Sequence, residues 1–422
     1  MQVNNKKRGL EGGTHHFFVQ KNNSNSRDLT RHMETLDQML VSSWYNVHSS
    51  VPPSFVQLPE NRPGRVVSSL HKAIPVIDFG GHDLGDTTKQ VLEASEEYGF
   101  FQEKHRDGGQ CESGRDRESV QRAIERKREP TSERKRWEFH ERNCMVARWT
   151  CSDAVVINHG VSKDLMDETM NIFKEFHAMP PKEKVNECSK DPNGSCKLYT
   201  SSENYKKDAI HYWKDSLTHP CPPSGEYMEY WPQKPSKYRD VVGKYTRELK
   251  KLALKILELL CEGLGLNLGY FCGGLSENPS VLVHHYPPCP DPSLTLGLAK
   301  HRDPTIITIL LQDKEVQGLQ VLKDGEWIGV EPIPNAFVVN IGLLLQIITN
   351  GRLVGAEHRA VTNSSSARTS VAYFVYPSFE SIIEPAQALI NESTPAIYKS
   401  MTFGEFRRNF FQKGPKIEEE LQ

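Results

Sequence analysis

His301, Asp303 and His358 are the residues of this 422-residue chain whose types and spacing most directly imply chemistry. His301 and Asp303 stand two apart in AKHRDP, and His358 follows 55 residues after the aspartate, in AEHRAV. Two imidazoles and one carboxylate can occupy one face of an octahedral metal and leave three positions open, an arrangement that suits non-haem Fe(II) in an oxygenase. Residues two apart on a strand point to the same side, so His301 and Asp303 can reach one ion, whereas His358 must arrive from another strand. The open positions need an electron source. A 2-oxo acid can chelate the metal through its keto oxygen and C1 carboxylate, and its far carboxylate then needs a buried cation. Arg368, ten residues after His358, offers a planar bidentate fork that does not lose its proton. Ser370 lies two residues on, on the same side, and adds a hydroxyl donor. Singly these residues say little, since a lone histidine is more often a core-edge residue and a lone arginine a solvated charge. The spacing of all five in runs that read as strands carries the reading.

The elements that must hold these residues are legible around them. From residue 280 onward, runs such as VLVHHYP, TIITILLQ, GLQVLK, EWIGVEP, AFVVNIG and TSVAYFVYP alternate with turn signals, and Asp324-Gly325 between two of them marks a hairpin. Many short strands with turns predict a barrel or jelly roll. Helices precede them: residues 86–98, 163–177 and, most clearly, 238–263, whose apolar stripe includes Val242, Tyr245, Leu249, Leu252, Ile256, Leu259 and Leu260. Pro180-Pro181 stops the second helix. Residues 185–235 read as loop-rich and aromatic, and residues 400–411 as a final helix. The fold class expected is α+β, mainly β, with the β core buttressed by helices.

Two stretches do not fit this plan. Residues 1–32 are polar and aperiodic, and Met33 opens a segment that looks like a natural start. Residues 103–154 are dense in charge, with runs such as ERKREPTSERKR and no sustained apolar face. With them deleted, GFFQ joins VVINHGV into nearly one continuous strand and turn, as a retained intron or faulty gene model would produce. The expected organisation is therefore an extension at 1–32, an N-terminal helix and strand region at 33–102 and 155–270, a charged insert at 103–154, and the β domain at 275–415.

Composition narrows the partners. The formal net charge is -2, so nothing global points to nucleic acid or a membrane surface. No run of apolar residues is long enough to span a bilayer, and the N-terminus has no apolar signal core. The nine cysteines include no CxxC pair, which argues against a zinc ribbon or disulfide framework and suits reduced thiols in a cytoplasmic protein.

The segments HHYPPCPDPSLTLGLAKHRD, EHRAVTN and RTSVAYFVYP, with IPVIDF, GFFQ and INHGV upstream, resemble the plant Fe(II)/2-oxoglutarate-dependent dioxygenase family. YWKDSLTHPCPP and EPIPNAFVVNIG are most similar to its hyoscyamine 6-dioxygenase-like group. The resemblance covers residues 33–102 and 155–415. It implies a distorted double-stranded β-helix (jelly roll), Fe(II) on His301, Asp303 and His358, and 2-oxoglutarate held by Arg368, Ser370 and the Tyr286 hydroxyl. It further implies ascorbate to keep the iron reduced, O2 and a small-molecule substrate as partners, and a monomer. The predicted reaction is oxidative decarboxylation of 2-oxoglutarate to succinate and CO2, coupled to hydroxylation, desaturation or epoxidation of a specialised metabolite. His284 departs from the family pattern, which often has Asn there, and Leu343 stands where many members have Asp. Two other classes stay open: a catalytically impaired barrel that binds a small molecule without turnover, and a nucleic-acid-associated protein using the basic run within 103–154.

Overall fold

The computed structural model describes residues 39–64, 76–79, 84–97, 99–104, 159–189, 194–203, 205, 208–222, 224–413 and 421. The extension at 1–32, the start at Met33, the charged stretch from residue 105 and residues 155–158 lie outside the described residues.

Two sheets form the β core. The major, eight-stranded sheet runs in the order β1 (Val76–Ile77), β2 (Phe100–Lys104), β10 (Ala336–Ile341), β7 (Ile307–Gln312), β12 (Arg368–Phe374), β5 (Ser280–Tyr286), β4 (Asp215–Pro220), β3 (Lys197–Thr200). The minor sheet runs β6 (Leu298–His301), β11 (His358–Ala360), β8 (Leu319–Lys323), β9 (Glu326–Gly329), and β13 (Ile382–Ile383) pairs with β14 (Met401–Thr402) outside both. The helices are α1 (Val41–Trp44), α2 (Leu84–Glu97), α3 (Lys163–Ala178), α4 (Pro181–Cys188), α5 (Tyr238–Leu264), α6 (Leu343–Ile348) and α7 (Phe403–Lys413).

The period of two along each central strand decides what faces where. Val281 and Val283, Ile307 and Ile309, Phe337 and Val339, and Val371 and Tyr373 point outward into one large apolar core shared with α3 and α5. Their alternates Leu310, Val338 and Ala372 point inward and meet Leu319 and Val321 of the minor sheet in a second, small cluster. The remaining inward positions, among them His284, Tyr286, Gln312, Asn340, Arg368 and Ser370, are polar and buried or nearly so. The large core therefore stands behind the major sheet, and the space between the sheets is left to polar chemistry.

The helices form where the apolar stripe predicts them. In α5, Leu249, Ile256 and Leu260 are fully buried, each contributing about 1.5–3 kcal/mol by the area it removes from water. Gly265, at φ 73°, ends it, and Leu266 N donates back to Cys261 O at 2.8 Å. Ser162 caps α3 by accepting from Leu165 N. Pro181 does not merely stop α3: it occupies the first turn of α4, where its missing N–H costs nothing. The Asp324-Gly325 hairpin between β8 and β9 has both residues at positive φ, 52° and 79°.

Three departures from the sequence expectation bear on the site. Residues 185–235 hold α4 and two strands of the major sheet, β3 and β4, where loops were expected. Strand β4 escapes pattern reading because both its faces carry polar residues: Asp215 and His219 are as buried on one side as Ser216 is on the other. Strand β2 continues through Lys104, two residues into the stretch expected as insert. Finally, β6 precedes β7 and ends on His301, so Asp303 sits in a connection rather than on a strand.

Strand β2 leaves the sheet at Lys104, paired with Ala336. The chain is next described at His159, whose Nε2 lies 3.3 Å from Asn335 O and whose ring lies 5.1 Å from that of Phe337.

Candidate metal centre and oxo-acid cradle

The minor sheet supplies two of the three predicted metal ligands and the loop leaving it supplies the third. His301 ends β6 and His358 begins β11, and the two are partners in register. Asp303 follows two residues after His301, its carbonyl accepting from Leu343 N at 2.8 Å, so the start of α6 fixes the loop. Asp303 Oδ1 lies 3.4 Å from His301 Nε2 and 3.7 Å from His358 Nε2. One ligand atom from each residue falls within 4.8 Å of the others, the sole such cluster of three or more His, Cys, Asp or Glu among the described residues.

The outer hydrogen bonds orient these donors. His301 Nδ1 lies 2.9 Å from Ala299 O and His358 Nδ1 lies 3.0 Å from Ala356 O. Each carbonyl takes the Nδ1 proton and leaves the Nε2 lone pair facing Asp303, the tautomer a metal requires. Asn340 Nδ2 donates to Asp303 Oδ2 at 3.1 Å. Burial pushes the Asp303 carboxyl up, but His358, His301 and Asn340 outweigh it and hold it well below the usual carboxylate range. Burial lowers the His358 imidazole, assisted by His301. A carboxylate beside two imidazoles is a donor set that fits a divalent transition metal.

The cradle lies across from it on the major sheet. Arg368 and Tyr286 are paired in register between β12 and β5, and Ser370 pairs with His284. Arg368 is 2% exposed and donates through Nη2 to Gln312 Oε1 at 3.0 Å, while its Nε is buried without a hydrogen-bond partner. A buried guanidinium with an unused N–H fits an incoming carboxylate. Tyr286, whose hydroxyl burial pushes up, is hydrogen-bonded to Ser370 and Arg368. Close packing depends on two glycines: a Cβ at Gly318 would lie 2.8 Å from Arg368 Cδ, and one at Gly297 2.5 Å from Tyr286 Cδ1.

Of the six residues predicted from the sequence, His301, His358, Arg368, Ser370 and Tyr286 thus fall on the facing surfaces of the two sheets, and Asp303 on the loop that leaves β6. Others there went unsuspected. Asn340 sits at an inward position of a run otherwise read as apolar, and that lone polar residue in AFVVNIG was a usable signal. Gln312, which accepts from Arg368 Nη2, gave none, because its role comes from a neighbour across the strands.

The comparisons with known proteins agree with this geometry. The family model described as the 2OG-Fe(II) oxygenase superfamily matches residues 277–377, and that described as non-haem dioxygenase in morphine synthesis N-terminal matches residues 151–237. Hyoscyamine 6-dioxygenase of Hyoscyamus niger is 45% identical over 265 residues, 60% of this chain and 76% of that protein. Protein DOWNY MILDEW RESISTANCE 6 of Arabidopsis thaliana is 34% identical over 378 residues, 89% of this chain and 95% of that protein. Among solved structures, JOX2 in complex with 2OG, Fe and JA superimposes with a TM-score of 0.68 at 30% identity, covering 89% of this chain and 94% of that one.

Proposed function

The chain belongs to the 2OG-Fe(II) oxygenase superfamily, and from that premise we propose that His301, Asp303 and His358 hold Fe(II) while Arg368, Ser370 and Tyr286 hold 2-oxoglutarate. The protein is an Fe(II)/2-oxoglutarate-dependent dioxygenase. Iron and oxo acid, when bound, supply the oxidant by coupling O2 reduction to decarboxylation of 2-oxoglutarate, with succinate and CO2 as products.

The chain's own residues supply the rest. The His301 and His358 imidazoles and the Asp303 carboxylate would offer three ligand atoms from one side, leaving the other side open. Arg368 Nε, free of a protein partner, meets the distal carboxylate of the oxo acid, and the Tyr286 and Ser370 hydroxyls complete its surroundings. The apolar cluster of Leu310, Val338 and Ala372 keeps bulk water from the space between the sheets. The substrate in this reading is a small specialised metabolite and the product an alcohol, or an alkene or cyclic ether where a different C–H bond lies nearest. The 45% identity to hyoscyamine 6-dioxygenase supports that class. Ascorbate to keep the iron reduced, a cytoplasmic location and action as a monomer belong to the same reading.

The observation that carries the ligand assignment is the convergence of His301, Asp303 and His358 opposite the unused Arg368 Nε. The test is succinate release from 2-oxoglutarate with Fe(II) and ascorbate, by the full chain and by a chain lacking residues 103–154. Slow succinate release without added substrate, abolished by His301→Ala, is the expected result. A folded, iron-loaded protein that releases none would instead indicate a barrel that binds without turnover.

A further inference from the structure

Lys214 stands immediately before β4 and is 3% exposed, yet its Nζ makes no hydrogen bond or ion pair among the described residues. Its neighbours fix the direction of its side chain. Asp215 is turned to the outside of the major sheet, where its two carboxylate oxygens accept from Val41 N and Ser42 N, each at 2.8 Å. Ser216 is turned inward, its Oγ 2.9 Å from His284 Nδ1. Successive side chains alternate, so Lys214 shares the inner side with Ser216. Its charge bears accordingly on His284, second only to burial among the influences that lower that imidazole.

A buried ammonium is unfavourable unless something neutralises it. Burial brings Lys214 down to about 7, and the two acids that pull it back, Asp215 and then Glu203, are both engaged elsewhere. Asp215 holds the two backbone amides, and Glu203 Oε2 lies 2.6 Å from Lys197 Nζ. The space beside Lys214 has aromatic walls that reach the metal ligands. Tyr199 is hydrogen-bonded to Ser216. The Tyr376 phenol, which burial pushes up, is influenced next by Asp303 and then by Arg407, Tyr199 and Glu203. The oxo acid has no need of this amine, since Arg368 and the metal ligands already provide for both its ends.

We infer that Lys214 is a specificity-determining residue that pairs with a carboxylate of the substrate to be oxidised, and that this substrate is a small organic acid with an apolar body. The inference rests on the dioxygenase reading, with iron and 2-oxoglutarate in the places assigned above. A neutral molecule of the same shape would leave the amine without a partner, whereas an anion gives it one in a space from which water is excluded. Lys214 thereby admits an acid and disfavours its ester, a discrimination made by leaving the wrong ligand's site unsatisfied.

The test is calorimetric titration of trans-cinnamate, indole-3-acetate and phenylacetate, and of the methyl ester of each, into the anaerobic full chain loaded with Fe(II) and 2-oxoglutarate. Melting temperature and iron and 2-oxoglutarate content are recorded for each variant. At least one acid is expected to bind the parent about tenfold or more tightly than its ester. Lys214→Met and Lys214→Gln each bring that ratio to within about twofold, and Lys214→Arg keeps the preference for the acid. The inference is overturned if the parent binds each ester as tightly as its acid, or binds none of the acids at millimolar concentration. It is equally overturned if Lys214→Met and Lys214→Gln keep the parent's ratio, or if acid and ester weaken together with a fall in melting temperature, which marks a structural role. A parent that fails to hold Fe(II) or 2-oxoglutarate before any acid is added sinks the dioxygenase reading itself, and the inference with it.

Discussion

His358 is the cross-strand neighbour of His301: they pair in register between β11 and β6, with ring centroids 4.3 Å apart. A spacing that looks long in the sequence is one step across a sheet, and it makes the two rings interdependent. Replacing either by Ala leaves two donors for one ion. His358→Ala is expected to lower iron affinity by more than about 100-fold and to stop succinate release, with the melting temperature of the metal-free protein little changed. Equilibrium dialysis against Fe(II) checks it, and retention of iron at parent affinity would remove His358 from the ligand set.

Arg368→Lys keeps the charge and loses the fork. Lysine has no counterpart of the unused Nε and cannot hold Gln312 and a carboxylate in one plane. The Kd for 2-oxoglutarate is expected to rise about 10- to 100-fold while iron binding is unaffected. A lysine variant that binds 2-oxoglutarate as the parent does would place the distal carboxylate elsewhere.

Acid should unfold the protein earlier than its surface composition suggests. His219 and His285 are buried, and burial holds their imidazoles down to about 4 and about 3. Below their ordinary value of 6.5 the unfolded chain takes up protons that the folded chain refuses, so stability is lost progressively as pH falls from 6.5 towards those values. Above 6.5 both states are neutral there and these two groups make no difference. Urea midpoints are expected to be flat between pH 7 and 8 and to fall steadily from pH 6.5 to 4.5. His219→Gln should flatten that fall, and an unchanged slope would remove His219 from the account.

Two buried lysines should respond oppositely to truncation. Lys184 Nζ donates to Ser42 Oγ at 2.8 Å and His177 O at 2.9 Å, tying the N-terminal segment to α3. Lys184→Met leaves those acceptors unpaired and is expected to cost about 2 kcal/mol. Lys214 has no hydrogen bond or ion pair at Nζ among the described residues, and burial brings its ammonium down to about 7. Lys214→Met removes a buried amine whose desolvation outweighs its attraction to Asp215 and Glu203, and should be neutral or stabilising, within about 1 kcal/mol. Chemical denaturation of the pair decides, and a larger loss at Lys214 would contradict the reading.

The parts of this protein legible in its sequence are those whose signals are local. The amphipathic period of α5, the Asp324-Gly325 turn and the spacing from His301 to Ser370 can each be read along a single stretch. What could not be read depends on neighbours across strands. Strand β4 carries buried Ser216 on one side and buried Asp215 and His219 on the other, so it shows no clean apolar alternation. Asp303 was placed on a strand because HxD suggests one, yet the Leu343 amide holds it in a loop. Gly297 and Gly318 matter only once the sheets are folded together.

The junction at β2 has a practical consequence. Lys104 leaves beside Ala336 and His159 returns beside Asn335, so the fold has a seam whose two lips meet. Closure entropy grows only slowly with the length of chain between such ends, and the sheet therefore sets almost no limit on what is spliced there. A short polar turn in place of residues 105–154 should give a protein of equal iron content, with a melting temperature within a few degrees of the parent. A fluorescent reporter or a solubility tag set into the same seam would ride on a working oxygenase, at the end of β2 away from the Phe100–Asn340 pair that borders the metal ligands.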